Sequence, residues 1–177
     1  LMKYIAVFCG SSEGSDSQII RQAYQLGETL AKKEMALVFG AAKIGIMGQV
    51  ANGVLDNQGD VIGVIPHFLK TKEIVHDNLT ELVITENMHD RKVIMYERSD
   101  AFIIIPGGFG SAKNLTNWAF NGPDGEILPE VKLLLVNLMN IGKPIAALCV
   151  SPVVIAKALE GSTFNAEVTI GTTKEKS

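Results

Sequence analysis

Cysteine is nearly missing from this 177-residue chain, in which Cys9 and Cys149 are the only two. Two thiols are too few for a disulfide framework and fit a reducing cytosol, so an apolar core must hold the fold. Charge is muted as well. A net of −3 and a pI near 5.6 argue against non-specific binding to nucleic acid or to an anionic membrane surface, but not against a local pocket for one phosphate. No uninterrupted apolar run approaches the roughly 20 residues that span a bilayer. The apolar start "YIAVFC" is too short for a signal peptide and runs straight into a turn. His67, His76 and His89 are scattered, without acid or cysteine partners at ligand spacing, so no metal and no cofactor is assigned. Internal repeats and low-complexity segments are lacking too. What is there, 47% apolar and 20% charged residues, is expected to form one cytoplasmic globular domain over 1–177.

Strand-length apolar runs alternate with longer amphipathic stretches. "KYIAVFCG", "MALVFG", "VIGVIP" (stopped by Pro66), "AFIIIPGG" and "KPIAALCV" read as strands, with "ELVITE" and "AEVTIG" as short candidates. Helices are expected from about Gln18 to Lys33, over "GIMGQVANGVLDNQG" closed by Gly59, and over "MHDRKVIMYERS". Others are expected after Ser111, over "EVKLLLVNLMNIG", and over "SPVVIAKALEG" with Ser151 as N-cap. The segment from His67 to Thr80 reads as a long connection or lid. This order predicts an α/β fold: a three-layer, Rossmann-like, doubly wound and mostly parallel sheet with helices on both faces. Ligands in such sheets sit at the carboxyl ends of the strands. The candidate loops therefore follow the first strand (Gly10 to Ser12), the second (Gly40 to Gly48), and the strands ending at Pro106 and Cys149.

In "GAAKIGIMG" (40–48), Gly45 and Gly48 stand at a helix entrance, where glycines permit tight turns and let a phosphate approach backbone N–H groups. Close packing of helix and strand explains the same residues equally well. "PGGFGS" carries more. Gly107, Gly108, Gly110 and Ser111 offer several N–H donors and a hydroxyl at a helix N-terminus, although neither a P-loop nor a full dinucleotide fingerprint is present. Arg91 and Lys92 lie just upstream. Adjacent cations on a helix are ordinarily a solvated face, but one strand before a phosphate cradle a guanidinium aimed at the ligand is the better reading.

Taken in order, "GSS" after the first strand, "GAAKIGIMG", "GDVIGVIP", "MHDRK" and "PGGFGS" resemble the Lonely Guy family of cytokinin-activating phosphoribohydrolases, long labelled lysine decarboxylases. The resemblance covers about residues 2–111. It implies cleavage of the N-glycosidic bond of an AMP-like nucleotide, a Rossmann-like fold and a homodimer. In the family motif P-G-G-x-G-T-x-x-E, Pro106, Gly107, Gly108 and Gly110 match, Ser111 replaces threonine, and Asn114 replaces the glutamate. Arg91 and Lys92 match the family's arginine–lysine pair, and Ala41 stands where a second glycine is common. The resemblance thus implies a phosphate site of Gly10, Ser11, Gly45, Gly48, Arg91, Lys92, Gly107, Gly108, Gly110 and Ser111, with Asn114 facing the ribose. Asparagine cannot act as a base, and losing a general acid–base group costs about 10²–10⁴-fold in rate.

From about 106 to 171 the chain resembles instead the ElbB-like glyoxalase branch of the class I glutamine-amidotransferase-like (PfpI) superfamily, which suggests a recombined protein with a junction near 106–111. In that superfamily the cysteine at the strand-to-helix turn, here Cys149, is the nucleophile, with Gly107 or Gly108 N–H groups as an oxyanion hole. A Cys149-dependent glyoxalase or hydrolase is therefore the second reading, and a stable scaffold without activity the third. Cys9 reads as core, and Trp118 and Phe120 as packing or a dimer contact. Hydrolysis would survive if another carboxylate, Glu73, Glu81 or Glu86, reached the sugar, while Glu13 is one that could lie near Cys149.

Overall fold

The computed structural model describes residues 2–10, 17–70, 75–105, 126–127, 129–147 and 151–164. Among these, the apolar runs form strands β1 (Tyr4–Phe8), β2 (Ala36–Phe39), β3 (Val61–Pro66), β4 (Glu81–Thr85), β5 (Ala101–Ile104) and β6 (Ile145–Ala147). The helices are α1 (Ser17–Lys32), α2 (Gly45–Asp56), α3 (His67–Lys70), α4 (Met88–Glu97), α5 (Pro129–Asn140) and α6 (Ser151–Leu159). The strands make one sheet in the order β4-β3-β2-β1-β5-β6, and every pairing is parallel. The expected Rossmann-like α/β fold is what the chain adopts. No helix among the described residues is long and apolar enough to cross a membrane.

Period-2 alternation divides the core. Ile5, Val7, Leu37, Phe39 and Val61 face one way and pack under α1 and α2. Ala6, Val38, Ile62, Val64 and Phe102 face the other, under Met95 of α4, Leu135 and Leu138 of α5, and Val154 and Ala158 of α6. Helices α1 and α2 meet through glycine: a Cβ added to Gly27 would lie 2.1 Å from Val50 O, and one on Gly53 2.1 Å from Tyr24 O.

Two expectations need correction. Helix α2 ends at Asp56, and the left-handed residue beyond it is Gln58 (φ 61°), not Gly59. Gly59 is small for a different reason, because its added Cβ would meet Val54 Cγ1 at 2.7 Å and Ala31 Cβ at 2.8 Å. Cys9 does not sit mid-strand but one residue past β1, packed against the core. Its surface is only half-buried, yet the thiol itself is enclosed, and desolvation pushes its pKa up to about 12. It stays a protonated, unreactive thiol.

The amino-terminal edge of the sheet is tied by polar contacts. Lys143 Nζ donates to Tyr96 O (2.9 Å) and Ser99 O (2.6 Å) at the end of α4, and lies 4.7 Å from the Tyr96 ring centroid. It adds a charged donor to carbonyls at the helix C-terminus, where a cation also suits the helix dipole. Lys143→Met is expected to destabilise the fold by about 1–2 kcal/mol, read as a lower thermal midpoint.

Asp100 Oδ2 accepts from Lys3 N (2.8 Å) and Tyr4 N (3.0 Å), joining the start of β1 to that of β5. These two backbone donors hold its carboxyl below the usual range. A depressed folded pKa contributes stability above the unfolded value of about 3.9 that is lost as pH falls through the folded one. Asp100→Asn should therefore flatten the acid limb of the stability–pH curve below about pH 4 while leaving its shape near neutrality unchanged.

Candidate functional site

In this strand order β1 lies between β2 and β5, which places the topological switch point at the carboxyl ends of β1 and β5. Beside it, α4 delivers Arg91. Asn87 caps this helix, its side chain accepting from His89 N (2.8 Å) and Asp90 N (3.0 Å) while its Nδ2 donates to Asp90 Oδ2 (2.9 Å). One turn on, Arg91 reaches over the sheet edge. Its Nε donates to Val64 O of β3 (2.9 Å) and its Nη2 to Gly40 O, the residue after β2 (2.8 Å), while Nη1 lies 3.7 Å from Met88 Sδ. Glycine at position 40 leaves room for this seat: an added Cβ would sit 2.1 Å from Nη2 and displace the guanidinium.

The loop after β2 is built on backbone that few side chains tolerate. Ala41 (φ 68°) and Gly45 (φ 70°) are both left-handed. A left-handed L residue costs roughly 1–2 kcal/mol, which accounts physically for the glycine that is common at position 41. Gly48 has no room for a side chain, since a Cβ would lie 1.9 Å from Lys43 O. Helix α2 then begins at Gly45, its N-cap Ile44 providing no side-chain bond, and Met47 N donates to Gly10 O (3.3 Å), which closes the loop after β1 onto α2.

Gly10, Gly45, Gly48 and Arg91 are therefore gathered on one edge, together with Gly40. Lys92 is exposed on α4. Glu81 does not reach this edge. It opens β4 at the opposite end of the sheet, and its Oε2 accepts from Arg98 Nη1 at 2.6 Å. Glu86 is exposed just before the Asn87 cap. Ser11, Glu13, Glu73, Pro106, Gly107, Gly108, Gly110, Ser111, Asn114, Trp118, Phe120 and Cys149 lie outside the described residues. A cluster not anticipated from the sequence lies alongside: Lys43 and Asp77 join the connection after β3 to the β2 loop, and His76 and Asn52 join it to α2. Its only sequence signal was an isolated histidine in a polar stretch.

The profile of the family described as "Possible lysine decarboxylase" matches residues 47–120. The cytokinin riboside 5′-monophosphate phosphoribohydrolase of Rhodococcoides fascians is 43% identical over 112 residues, which are 63% of this chain and 57% of that protein. The probable enzyme LOG6 of Arabidopsis thaliana is 41% identical over 113 residues, 64% of this chain and 56% of that protein. Among solved structures, a molybdenum cofactor binding protein of Rippkaea orientalis superposes with a TM-score of 0.59 at 24% identity, covering 83% of this chain and 76% of that one. The molybdenum cofactor carrier protein of Chlamydomonas reinhardtii gives a TM-score of 0.56 at 19% identity, covering 88% of this chain and 96% of that one. These two likenesses are of fold. The chain spans about half the length of the curated relatives it matches, 57% and 56% of the two named here. Over that span the chain is similar to the profile described as a possible lysine decarboxylase and to the phosphoribohydrolases named.

Proposed function

We propose that this chain binds a nucleoside 5′-monophosphate in the manner of a phosphoribohydrolase and that its N-glycosidic hydrolysis is weak or lost. The observation that carries the proposal is the seating of Arg91 on the strand-end carbonyls of Gly40 and Val64. A guanidinium has five N–H donors in a rigid plane. Anchoring two of them to the main chain fixes the plane of the group and the position of its positive charge, which suits a phosphate better than a solvated lysine would. The loop of Gly40 to Gly48 supports that seat, and Gly107, Gly108, Gly110 and Ser111 complete the cradle in this reading. The names of the relatives support the same class of ligand.

Asn114 limits the chemistry. An oxocarbenium-like transition state needs a carboxylate near the sugar, and an amide hydrogen-bonds a ribose hydroxyl without supplying charge or base. With Glu81 committed to Arg98, one of the three candidate substitutes is already excluded. The relatives favour this reading over a Cys149-dependent glyoxalase. The profile match also runs across the suggested junction at 106–111, which favours one phosphoribohydrolase-type segment through residue 120.

The test follows ribose 5-phosphate release from AMP alongside calorimetric binding. Saturable binding with release slower by about 10²–10⁴-fold than a general acid–base catalyst would give is the expected result. Rapid release would show that another group supplies the missing carboxylate, and no binding at all would overturn the nucleotide reading.

A further inference from the structure

The connection after β3 folds back over the loop that seats Arg91. Val75 bridges antiparallel to Ala42, His76 N donates to Ala41 O (2.9 Å), and the Lys43 ammonium pairs with Asp77. The His76 imidazole, 8% exposed, lies with Nε2 2.9 Å from Asn52 Oδ1 of α2, while Asn78 N donates to its Nδ1 at 3.4 Å. The Asn78 N–H faces Nδ1 and the Asn52 oxygen faces Nε2, an arrangement that the neutral Nε2–H tautomer satisfies on both sides. Two residues from the Ala42 bridge, the Gly40 carbonyl receives Arg91 Nη2 (2.8 Å).

We infer that neutral His76 is a positioning residue: its ring ties 75–78 to Asn52 of α2, which holds the main-chain bonds of that segment to the loop of 40–43 and with them the seat of Arg91 at Gly40, so that protonating it loosens the nucleotide site. Protonation places an N–H on Nδ1, directly against the N–H of Asn78. It also puts a charge into a buried position. Burial is the strongest influence and holds the His76 pKa below the ordinary value. Asp77 beside it raises the pKa, Lys43 in the β2 loop lowers it, and Asp56 in α2 raises it weakly. A fold that favours the neutral ring is fully supported above the unfolded value of about 6.5 and loses that support as pH falls through it towards the folded value. The affinity arm of this inference rests on the nucleotide reading; the clasp itself does not.

Hydrogen exchange of the amides of 40–48 and 75–80, corrected for intrinsic rates, tests the clasp between pH 8 and 5.5. His76→Gln keeps a donor for Asn52 and does not titrate. The expected result is equal exchange at pH 8 and faster exchange, by at most about tenfold, in the unsubstituted chain at pH 5.5, with AMP affinity at that pH weaker than the variant's. Equal exchange in both proteins at pH 5.5 overturns the clasp. Faster exchange with an AMP affinity whose pH dependence matches that of the variant overturns the seating of Arg91. Faster exchange with no AMP binding at any pH upholds the clasp and overturns the nucleotide reading instead. Should the variant not fold, the Cε1 proton titration of His76 in the unsubstituted chain decides: a midpoint below about 6.5, with the rise in exchange lying between about 6.5 and that midpoint, supports the clasp, and any other result overturns it.

Discussion

Gly53→Ala lowers the stability of this protein by about 2–3 kcal/mol, even though alanine is the better helix former. Favoured backbone entropy alone would make the change stabilising by roughly 0.5–1 kcal/mol. Space decides otherwise. The new Cβ would lie 2.1 Å from Tyr24 O and 3.0 Å from Glu28 N, both backbone atoms of α1, which no rotamer change can move. Helices α1 and α2 must separate, and overpacking of this kind costs about 1–3 kcal/mol or more. The hydrogen bond from Tyr24 Oη to Asp56 Oδ2 (2.9 Å), which also joins these helices, would be strained by the same movement. Gly27→Ala meets Val50 O in the same way. Both substitutions wedge one interface, so the double variant should lose less than the sum of the two. Urea unfolding checks this: a lower midpoint at an unchanged slope is expected, and a raised midpoint would mean that the helices do not meet at these residues.

Gly40→Ala should do the opposite, sparing the fold and striking the site. Its Cβ would sit 2.1 Å from Arg91 Nη2, the far end of a flexible side chain that can swing aside. The destabilisation is then only about 1 kcal/mol, for one displaced hydrogen bond. Ligand affinity suffers more. A positioned, charge-assisted contact contributes about 1.5–3 kcal/mol, so AMP binding should weaken roughly 10–100-fold. Calorimetric titration of the variant measures it, with a thermal scan to confirm folding. Unchanged affinity would remove Arg91 from the site.

The strands and most helix boundaries were legible because burial imposes a period, two along β1 and β2 and three to four along α1, where Ala23 and Leu30 are buried as their spacing implies. The roles of the glycines were not. Gly27 and Gly53 in their helices look the same in sequence whether they face solvent or another backbone, and Gly40 needed Arg91, 51 residues later, to explain it. Gln58 took the left-handed turn that Gly59 was expected to take, because Gly59 was already required where Val54 and Ala31 leave no room. Arg91 was read as a ligand-facing cation from its place before the glycine-rich stretch, whereas its anchors on the carbonyls of Gly40 and Val64 depend on which strands adjoin. His76 was read as an isolated histidine, and its partner Asn52 lies 24 residues away on another element. Sequence spacing reports local periodicity well; it does not report which loops fold back over one another.

The central claim is that a phosphate-recognising site stands at the carboxyl edge of β1, β2 and β3. Titrating the chain calorimetrically with AMP, with and without inorganic phosphate, tests it most directly. Saturable binding that phosphate weakens by competition is the expected result. An absent binding heat, or one that phosphate leaves unchanged, would contradict the claim and leave Arg91 as a structural tie between β2, β3 and α4.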